Sequence, residues 1–169
     1  MKNIAYAPHM FESYGEQEIQ SVVDCLRSGW LAGFGPKSIE FENKIAKDFG
    51  KKYGVFVNSG SSANLLALAC LKLPKGSEVI TPACTFSTTV SPIVQLGLKP
   101  IFCDVELNSY VSLVSKVIDC ITEKTKVIIL PNLIGNKPNW KLLETSLRAI
   151  GRRDIILIED SCDTISETF

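Results

Sequence analysis

Four side chains that can carry charge or act as nucleophiles come directly after an apolar run near residue 155. The run covers residues 155–158, and the side chains are those of Glu159, Asp160, Cys162 and Asp163. Burying a carboxylate without a partner costs several kcal/mol, so a carboxylate at the end of a buried strand normally meets a cation. The segment therefore predicts a positively charged partner opposite Asp160.

A second segment, VNSGSSANLLALACL (57–71), has the composition of an anion site. It places Ser59, Gly60, Ser61 and Ser62 between an apolar run and a helical pattern. Free amides and the dipole at a helix N-terminus attract anions, and small residues let a phosphate approach the backbone. The same residues also suit a simple cap, in which Ser59 or Ser61 only accepts a backbone N–H.

A third segment, TPACTFSTT (81–89), carries Phe86 between a predicted strand and a predicted helix. An aromatic ring there could lie over a flat heterocycle, although a single aromatic residue more often belongs to the core. A phosphate site, a flat ring and a cation facing Asp160 together describe pyridoxal phosphate, whose ring nitrogen needs an Asp partner. Considered alone, Asp160 could instead cap the segment that follows its strand.

The elements that would position these segments alternate between apolar runs and helical patterns. Two helices come first, one over 13–29 with Ser13 and Glu16 at capping-box spacing and one from Pro36 to Gly50. The predicted strands are 53–57, 78–81, 99–103, 126–130 and 154–158, and the predicted helices between them are 62–72, 86–96, 112–121 and 139–149. Continuous Val, Ile and Leu runs predict an α/β fold with a mainly parallel sheet between two layers of helices. Ligands of such sheets lie beyond the carboxyl ends of the strands, where 58–64 and 159–163 both fall.

Composition limits the classes of function. The chain has 169 residues, 46% of them hydrophobic, which suits one globular domain with a core. Eighteen basic and eighteen acidic residues cancel without a basic run, so we expect no nucleic-acid partner. No stretch approaches the about 20 apolar residues of a membrane span, and the start lacks a signal peptide, so we expect a cytoplasmic protein. The six cysteines form no C-x-x-C pair, and we expect most of them to be small buried residues.

Four stretches occur in an order and spacing that match a known family. They are SGWLAGFGPKSIEFENKIAKDFGKKYGVFVNSGSSANLLAL, GSEVITPACTFSTTVSPIVQLGLKPIFCDVE, ITEKTKVIIL and LIEDSCD. Together they resemble the DegT/StrS-type family of pyridoxal phosphate enzymes that act on nucleotide-linked keto sugars. The resemblance implies a three-layer sandwich, the large domain of the aspartate-aminotransferase-like fold (fold type I). It also implies that residues 1–169 are the N-terminal part of that domain, and that the rest of the domain and a small C-terminal domain are absent.

Position by position, the resemblance implies roles for six residues in binding pyridoxal phosphate or its aminated form. Gly60, Ser61 and Ser62 would bind the phosphate, Phe86 would stack on the ring, and Asp160 would pair with the ring nitrogen. Asp163 stands where the aminotransferases of the family usually have Gln, near the phenolic oxygen of the cofactor.

The resemblance further implies an enzyme of polysaccharide biosynthesis that moves an amino group from a donor such as glutamate to a keto-deoxy sugar. Its catalytic residue, a Schiff-base lysine or a histidine in its place, is expected beyond Phe169, because no lysine follows Lys141. When full length, such an enzyme is a homodimer with active sites at the subunit interface, where the apolar loop SGWLAGFGP would lie.

Departures from the family pattern indicate an alternative activity. Asn132 replaces a common His, and Asn136 follows Gly135 where aminotransferases usually have Gln. These residues and EDSCD are similar to the hexulose 3-dehydrases, which remove a sugar 3-hydroxyl. In some dehydrases the Cys matching Cys162 binds an iron-sulfur cluster, but Cys162 has no partner Cys nearby, so we expect no metal. A third alternative, a non-catalytic nucleotide-binding or regulatory protein, lacks a G-x-G-x-x-G after the first strand.

Overall fold

The computed structural model describes residues 14–164, and their contacts divide the chain into two units, one up to Phe56 and one from Val57. In the described part of the first unit, two amphipathic helices match the predicted ones, α1 (Glu16–Ser28) and α2 (Pro36–Asp48). Both boundaries have local causes. Gly29 ends α1 in the left-handed conformation at φ 77°, and Pro36 occupies the first position of α2, where a missing N–H costs nothing. The predicted cap at Ser13 lies outside the described residues.

The second unit is built on a parallel sheet of four strands in the order β2-β1-β3-β4. The strands are β1 (Glu78–Pro82), β2 (Lys99–Cys103), β3 (Thr125–Pro131) and β4 (Ile156–Asp160). In the register, Ile80 pairs with Ile101 on β2 and with Ile128 on β3. The strand order reverses between β1 and β3, and open α/β sheets leave a crevice for ligands at such a reversal.

Helices cover both faces of this sheet. They are α3 (Gly60–Ala69), α4 (Ser87–Gln95), α5 (Val114–Asp119) and α6 (Trp140–Ala149). Successive strand residues point to opposite faces, so the strands supply two cores. One core joins Ile80, Ile128 and Leu130 to Val117 of α5 and Leu143 of α6, and the other joins Val79, Val127 and Ile129 to Leu68 of α3 and Ile93 of α4. The predicted three-layer α/β architecture is confirmed.

The strand predicted at 53–57 is not formed among residues 14–164. Within residues 14–164 this segment pairs with no strand, and Tyr53 and Val55 are 74% and 71% exposed. A strand needs a neighbour that satisfies its backbone N–H and C=O groups, and apolar side chains alone do not provide one. The last strand is shifted from the prediction: β4 starts at Ile156, so Glu159 and Asp160 occupy its final positions instead of following it.

The expectation that most cysteines are buried is also wrong. Cys103 is buried, Cys25 and Cys120 are half-buried, and the remaining three, Cys70, Cys84 and Cys162, are exposed. The exposed cysteines lie at the end of α3 or in turns after strands, where the chain leaves the core. As for the helices, none between residues 14 and 164 is long and apolar enough to cross a membrane.

Candidate functional site

Asp160 is the centre of the candidate site. Its side chain, at the end of β4, is buried, with 8% of the residue exposed. Its Oδ2 accepts hydrogen bonds from Asn64 Nδ2 at 2.8 Å and from Thr89 Oγ1 at 3.0 Å, and its Oδ1 accepts the backbone N–H of Cys162 at 3.3 Å. One carboxylate therefore joins α3, α4 and the turn after β4.

The charge of Asp160 is stabilised by these neighbours. Burial disfavours the ionised carboxylate, but hydrogen bonds from Asn64, Cys162 and Thr89 outweigh it, and the pKa of Asp160 is lowered. None of the ion pairs formed among residues 14–164 includes Asp160. The site thus presents a buried, ionised carboxylate held by neutral donors, which is the arrangement that a cationic ligand with an N–H donor would complete.

The N-terminus of α3 offers free donors close to this carboxylate. Ser59 caps the helix, because its hydroxyl accepts the Ser62 N–H at 3.2 Å, and the Ser62 hydroxyl donates to Asn58 Oδ1 at 2.6 Å. Within residues 14–164, the N–H groups of Gly60 and Ser61 and the Ser61 hydroxyl form no hydrogen bond. The two alternatives for this segment therefore coexist, since Ser59 makes the cap and the first turn keeps donors for an anion.

Phe86 lies beside the same network. It is the N-cap residue of α4, and its carbonyl accepts the N–H of Thr89, which binds Asp160 through its hydroxyl. Phe86 is 69% exposed, so the alternative that it belongs to the core is wrong. Its ring is available to a flat ligand at the carboxyl end of β1.

Asn132 holds the ends of β3 and β4 together and is 1% exposed. Its Nδ2 donates to the Glu159 carboxylate and to Ser161 Oγ, and its Oδ1 accepts from Trp140 Nε1 at 3.4 Å. Its backbone N–H donates to the Asp160 carbonyl at 2.9 Å. A residue that the sequence marked only as a departure from the family pattern thus fixes the backbone that carries Asp160.

Asp163 contacts a turn beyond β3. Its Oδ2 accepts the N–H of Ile134 at 3.1 Å, and Ile134 has a left-handed φ of 55°, which is unfavourable for a β-branched residue. Asn136 Nδ2 in turn donates to the Ser109 carbonyl at 3.0 Å. Hydrogen bonds from Ile134 and Asn136 thus fix this strained turn, and Asp163 accepts the first of them. Strained backbone of this kind is common around ligand sites.

The surroundings of Cys162 favour its neutral thiol. Burial, a hydrogen bond to Asp160 and the negative charges of Asp160 and Asp163 raise the pKa of the Cys162 thiol to about 11. Between residues 14 and 164, no group of three or more His, Cys, Asp or Glu side chains could hold a metal ion. An iron-sulfur cluster is held by several thiolates, and no such group surrounds Cys162 within residues 14–164.

Asn64 and Thr89 were missed by the sequence predictions. Both are buried and polar on helices that are otherwise apolar toward the sheet, and they reach Asp160 across 96 and 71 residues of chain. A buried polar side chain needs a partner, so a lone Asn inside SANLLALA was a usable signal. The identity of the partner could not be read without the fold.

The chain is similar to several known proteins. GDP-4-keto-6-deoxy-D-mannose 3-dehydratase of Escherichia coli O55:H7 is 37% identical over 175 residues, covering 100% of this chain and 43% of that protein. UDP-4-amino-4-deoxy-L-arabinose--oxoglutarate aminotransferase of Shewanella sediminis is 42% identical over 120 residues, covering 71% of this chain and 31% of that protein. A solved structure of the E. coli GDP-4-keto-6-deoxy-D-mannose-3-dehydratase with bound hydrated PLP has a TM-score of 0.86 at 36% identity, covering 96% of this chain and 42% of that one.

These relatives are longer than the chain, which spans about two fifths of the dehydratase. The shared fold is that of part of the fold type I pyridoxal phosphate domain. The model of the DegT/DnrJ/EryC1/StrS aminotransferase family matches residues 12–169. On this match and on the alignment of the whole chain with the dehydratase, the chain belongs to the DegT/DnrJ/EryC1/StrS aminotransferase family.

Proposed function

We propose that this chain binds pyridoxal phosphate, or its aminated form, as part of an enzyme that acts on a nucleotide-linked keto sugar. The carboxylate of Asp160 carries the proposal. It is buried and ionised, it has neutral donors from two helices, and no ion pair among residues 14–164 neutralises it. A protonated pyridine nitrogen supplies the positive charge that this carboxylate lacks, together with one further N–H donor.

The other described residues suit the remaining parts of the cofactor. The free N–H groups of Gly60 and Ser61 and the Ser61 hydroxyl would bind the phosphate, with Ser62 ordering the loop through Asn58. The exposed ring of Phe86 would stack on the pyridine ring. Asp163 would lie near the phenolic oxygen, as the family resemblance implies.

When bound, the cofactor supplies an electron sink for negative charge that develops at a substrate carbon. The residues of this chain determine how well that sink works. Asp160 would hold a proton on the ring nitrogen, and Asn64 and Thr89 keep Asp160 ionised so that it can do so. The residue that moves the substrate proton, a lysine or a histidine, would lie outside residues 1–169.

Of the two sugar reactions, we favour removal of a 3-hydroxyl over transfer of an amino group. Support comes from EDSCD and the Gly135-Asn136 pair, which resemble the dehydrase branch, and from the dehydratase aligned over 100% of the chain. Asp163 also supports it, because this residue puts a carboxylate where the aminotransferases usually have a neutral amide. Amino transfer is the second candidate, supported by the aminotransferase that is 42% identical over 71% of the chain.

One assay separates these activities. The intact protein is supplied with pyridoxal phosphate, glutamate and a nucleotide-linked 4-keto-hexose, and the product is analysed by mass spectrometry. The 3-dehydrase yields a product that is lighter by one oxygen atom, whereas amino transfer replaces the carbonyl oxygen by an amino group. A colourless protein that binds no pyridoxal phosphate would instead favour a nucleotide-binding module and would contradict the proposal.

We also propose that the intact protein is a homodimer. The loop between α1 and α2 exposes Trp30, Leu31 and Phe34, with Phe34 69% accessible. Three large apolar side chains in one short Gly-rich loop are typical of a surface that another subunit covers.

A further inference from the structure

Gly60, the first residue of α3, lies against the thiol of Cys162. A Cβ atom added at Gly60 would collide with Cys162 Sγ, and no other atom of residues 14–164 outside its own helix lies within 4 Å of it. Gly60 does not have a positive φ, so its backbone conformation is open to any residue. A side chain at position 60 would therefore require the sulfur atom of Cys162 to move.

The same face of α3 contacts the end of β4 a second time. Asn64 follows Gly60 by about one helical turn, and its Nδ2 donates to Asp160 Oδ2 at 2.8 Å. The backbone N–H of Cys162 donates to the other oxygen of that carboxylate at 3.3 Å. The first turn of α3 is thus docked on the 160–162 segment at two points, one through sulfur and one through the carboxylate.

We propose that Cys162 is a positioning residue, whose thiol sets the distance between the free N–H groups of α3 and the carboxylate of Asp160. The inference rests on the proposed function, in which these two groups bind opposite ends of one flat, rigid cofactor. Such a ligand needs both groups within about 0.5 Å of their places. A side chain at 162 or 60 that moved α3 by the size of a methyl group would weaken one of the two contacts.

This role differs from binding a cluster. A cluster ligand is a thiolate bonded to iron. The Cys162 thiol instead packs on the backbone of Gly60 beside two carboxylates, and these neighbours keep it protonated. Its sulfur acts through its size and position.

The test uses the intact protein with the variants Gly60→Ala, Cys162→Ala and the two combined. Affinity for pyridoxal phosphate is measured by titrating the cofactor-free protein and following visible absorbance. We expect Gly60→Ala to weaken affinity about tenfold or more, Cys162→Ala to weaken it about threefold, and the double variant to bind within about threefold of Cys162→Ala. Cys70→Ala, which removes an exposed thiol at the far end of α3, is the control and should bind like the wild type.

Rescue of Gly60→Ala by Cys162→Ala is the decisive result, because loss of packing alone would make the double variant worse than either single one. If the double variant stays as weak as Gly60→Ala, the methyl group excludes the phosphate directly and the inference is overturned. Iron and sulfide that copurify with the wild type and disappear in Cys162→Ala would also overturn it. A wild type that binds no pyridoxal phosphate would refute the proposed function itself. The thermal midpoints of the cofactor-free variants would still show whether the Gly60–Cys162 contact exists.

Discussion

Replacing Thr89 by Val tests how the site keeps Asp160 ionised. The two side chains have nearly the same shape, so Thr89→Val removes the donor at 3.0 Å from Asp160 Oδ2 and leaves no cavity. A hydrogen bond to a charged group contributes about 1.5–3 kcal/mol. Because Asn64 still donates to the same oxygen at 2.8 Å, we expect the lower part of that range, about 2 kcal/mol at neutral pH.

The destabilisation by Thr89→Val should depend on pH in a definite direction. The pKa of Asp160 is lowered in the folded protein, so its contribution to stability is present above the unfolded value of about 3.9 and is lost as pH falls through the folded value. Without the Thr89 hydroxyl, fewer hydrogen bonds offset the cost of burying the ionised carboxylate, so the pKa of Asp160 rises. The destabilisation by Thr89→Val should therefore be full at neutral pH and should shrink in acid, starting at the raised pKa of the variant.

The assay is denaturant unfolding of the intact, cofactor-free protein from about pH 7 to about pH 3, which lies below the ordinary pKa of an Asp carboxyl. Thr88→Val is the matched control, because Thr88 neighbours Thr89 on α4 but makes no hydrogen bond to Asp160. It should change stability by about 0.5 kcal/mol or less. Equal effects of the two variants, or an effect of Thr89→Val that is the same at every pH, would refute the reasoning.

Three further predictions concern the rest of the described chain. Ser61→Ala should weaken pyridoxal phosphate binding about fivefold, because one hydroxyl is lost, and cofactor titration measures this change. Unchanged affinity would mean that only the backbone amides bind the phosphate. Asn132→Ala should lower the free energy of unfolding by about 2–4 kcal/mol, because it removes a buried amide that hydrogen-bonds Glu159, Ser161 and Trp140. A loss below about 1 kcal/mol would contradict that role. Trp30→Ser combined with Phe34→Ser should weaken the dimer of the intact protein in equilibrium sedimentation, and an unchanged dimer would place the interface elsewhere.

The sheet could be predicted because its signal is local. The runs EVIT, KPIFC and KVIIL each place apolar residues next to one another after a charged residue, and each forms a strand close to its predicted bounds. The run YGVFV has the same composition and forms none, since strand formation depends on a partner that composition does not encode. Helix α5 is shorter than predicted, spanning Val114–Asp119, which is within the usual uncertainty of helix ends.

Individual site residues could be predicted from the sequence where only a few roles are open to that residue type at that position. A carboxylate such as Asp160 at the end of an apolar run requires partners if it is buried, and the small residues at 59–62 leave helix donors open. Asn64 and Thr89 could not be assigned, because a polar residue in a helix says nothing about which distant atom it meets. The contact between Gly60 and the Cys162 sulfur was equally hidden, since it joins residues about 100 positions apart.

The central claim is that Asp160 holds a proton on the ring nitrogen of pyridoxal phosphate. The most direct measurement is the nitrogen NMR shift of cofactor labelled at that nitrogen and bound to the intact protein, in the wild type and in Asp160→Asn. We predict the shift of a protonated pyridine in the wild type and that of an unprotonated one in the variant. The same shift in both proteins would contradict the assignment of Asp160.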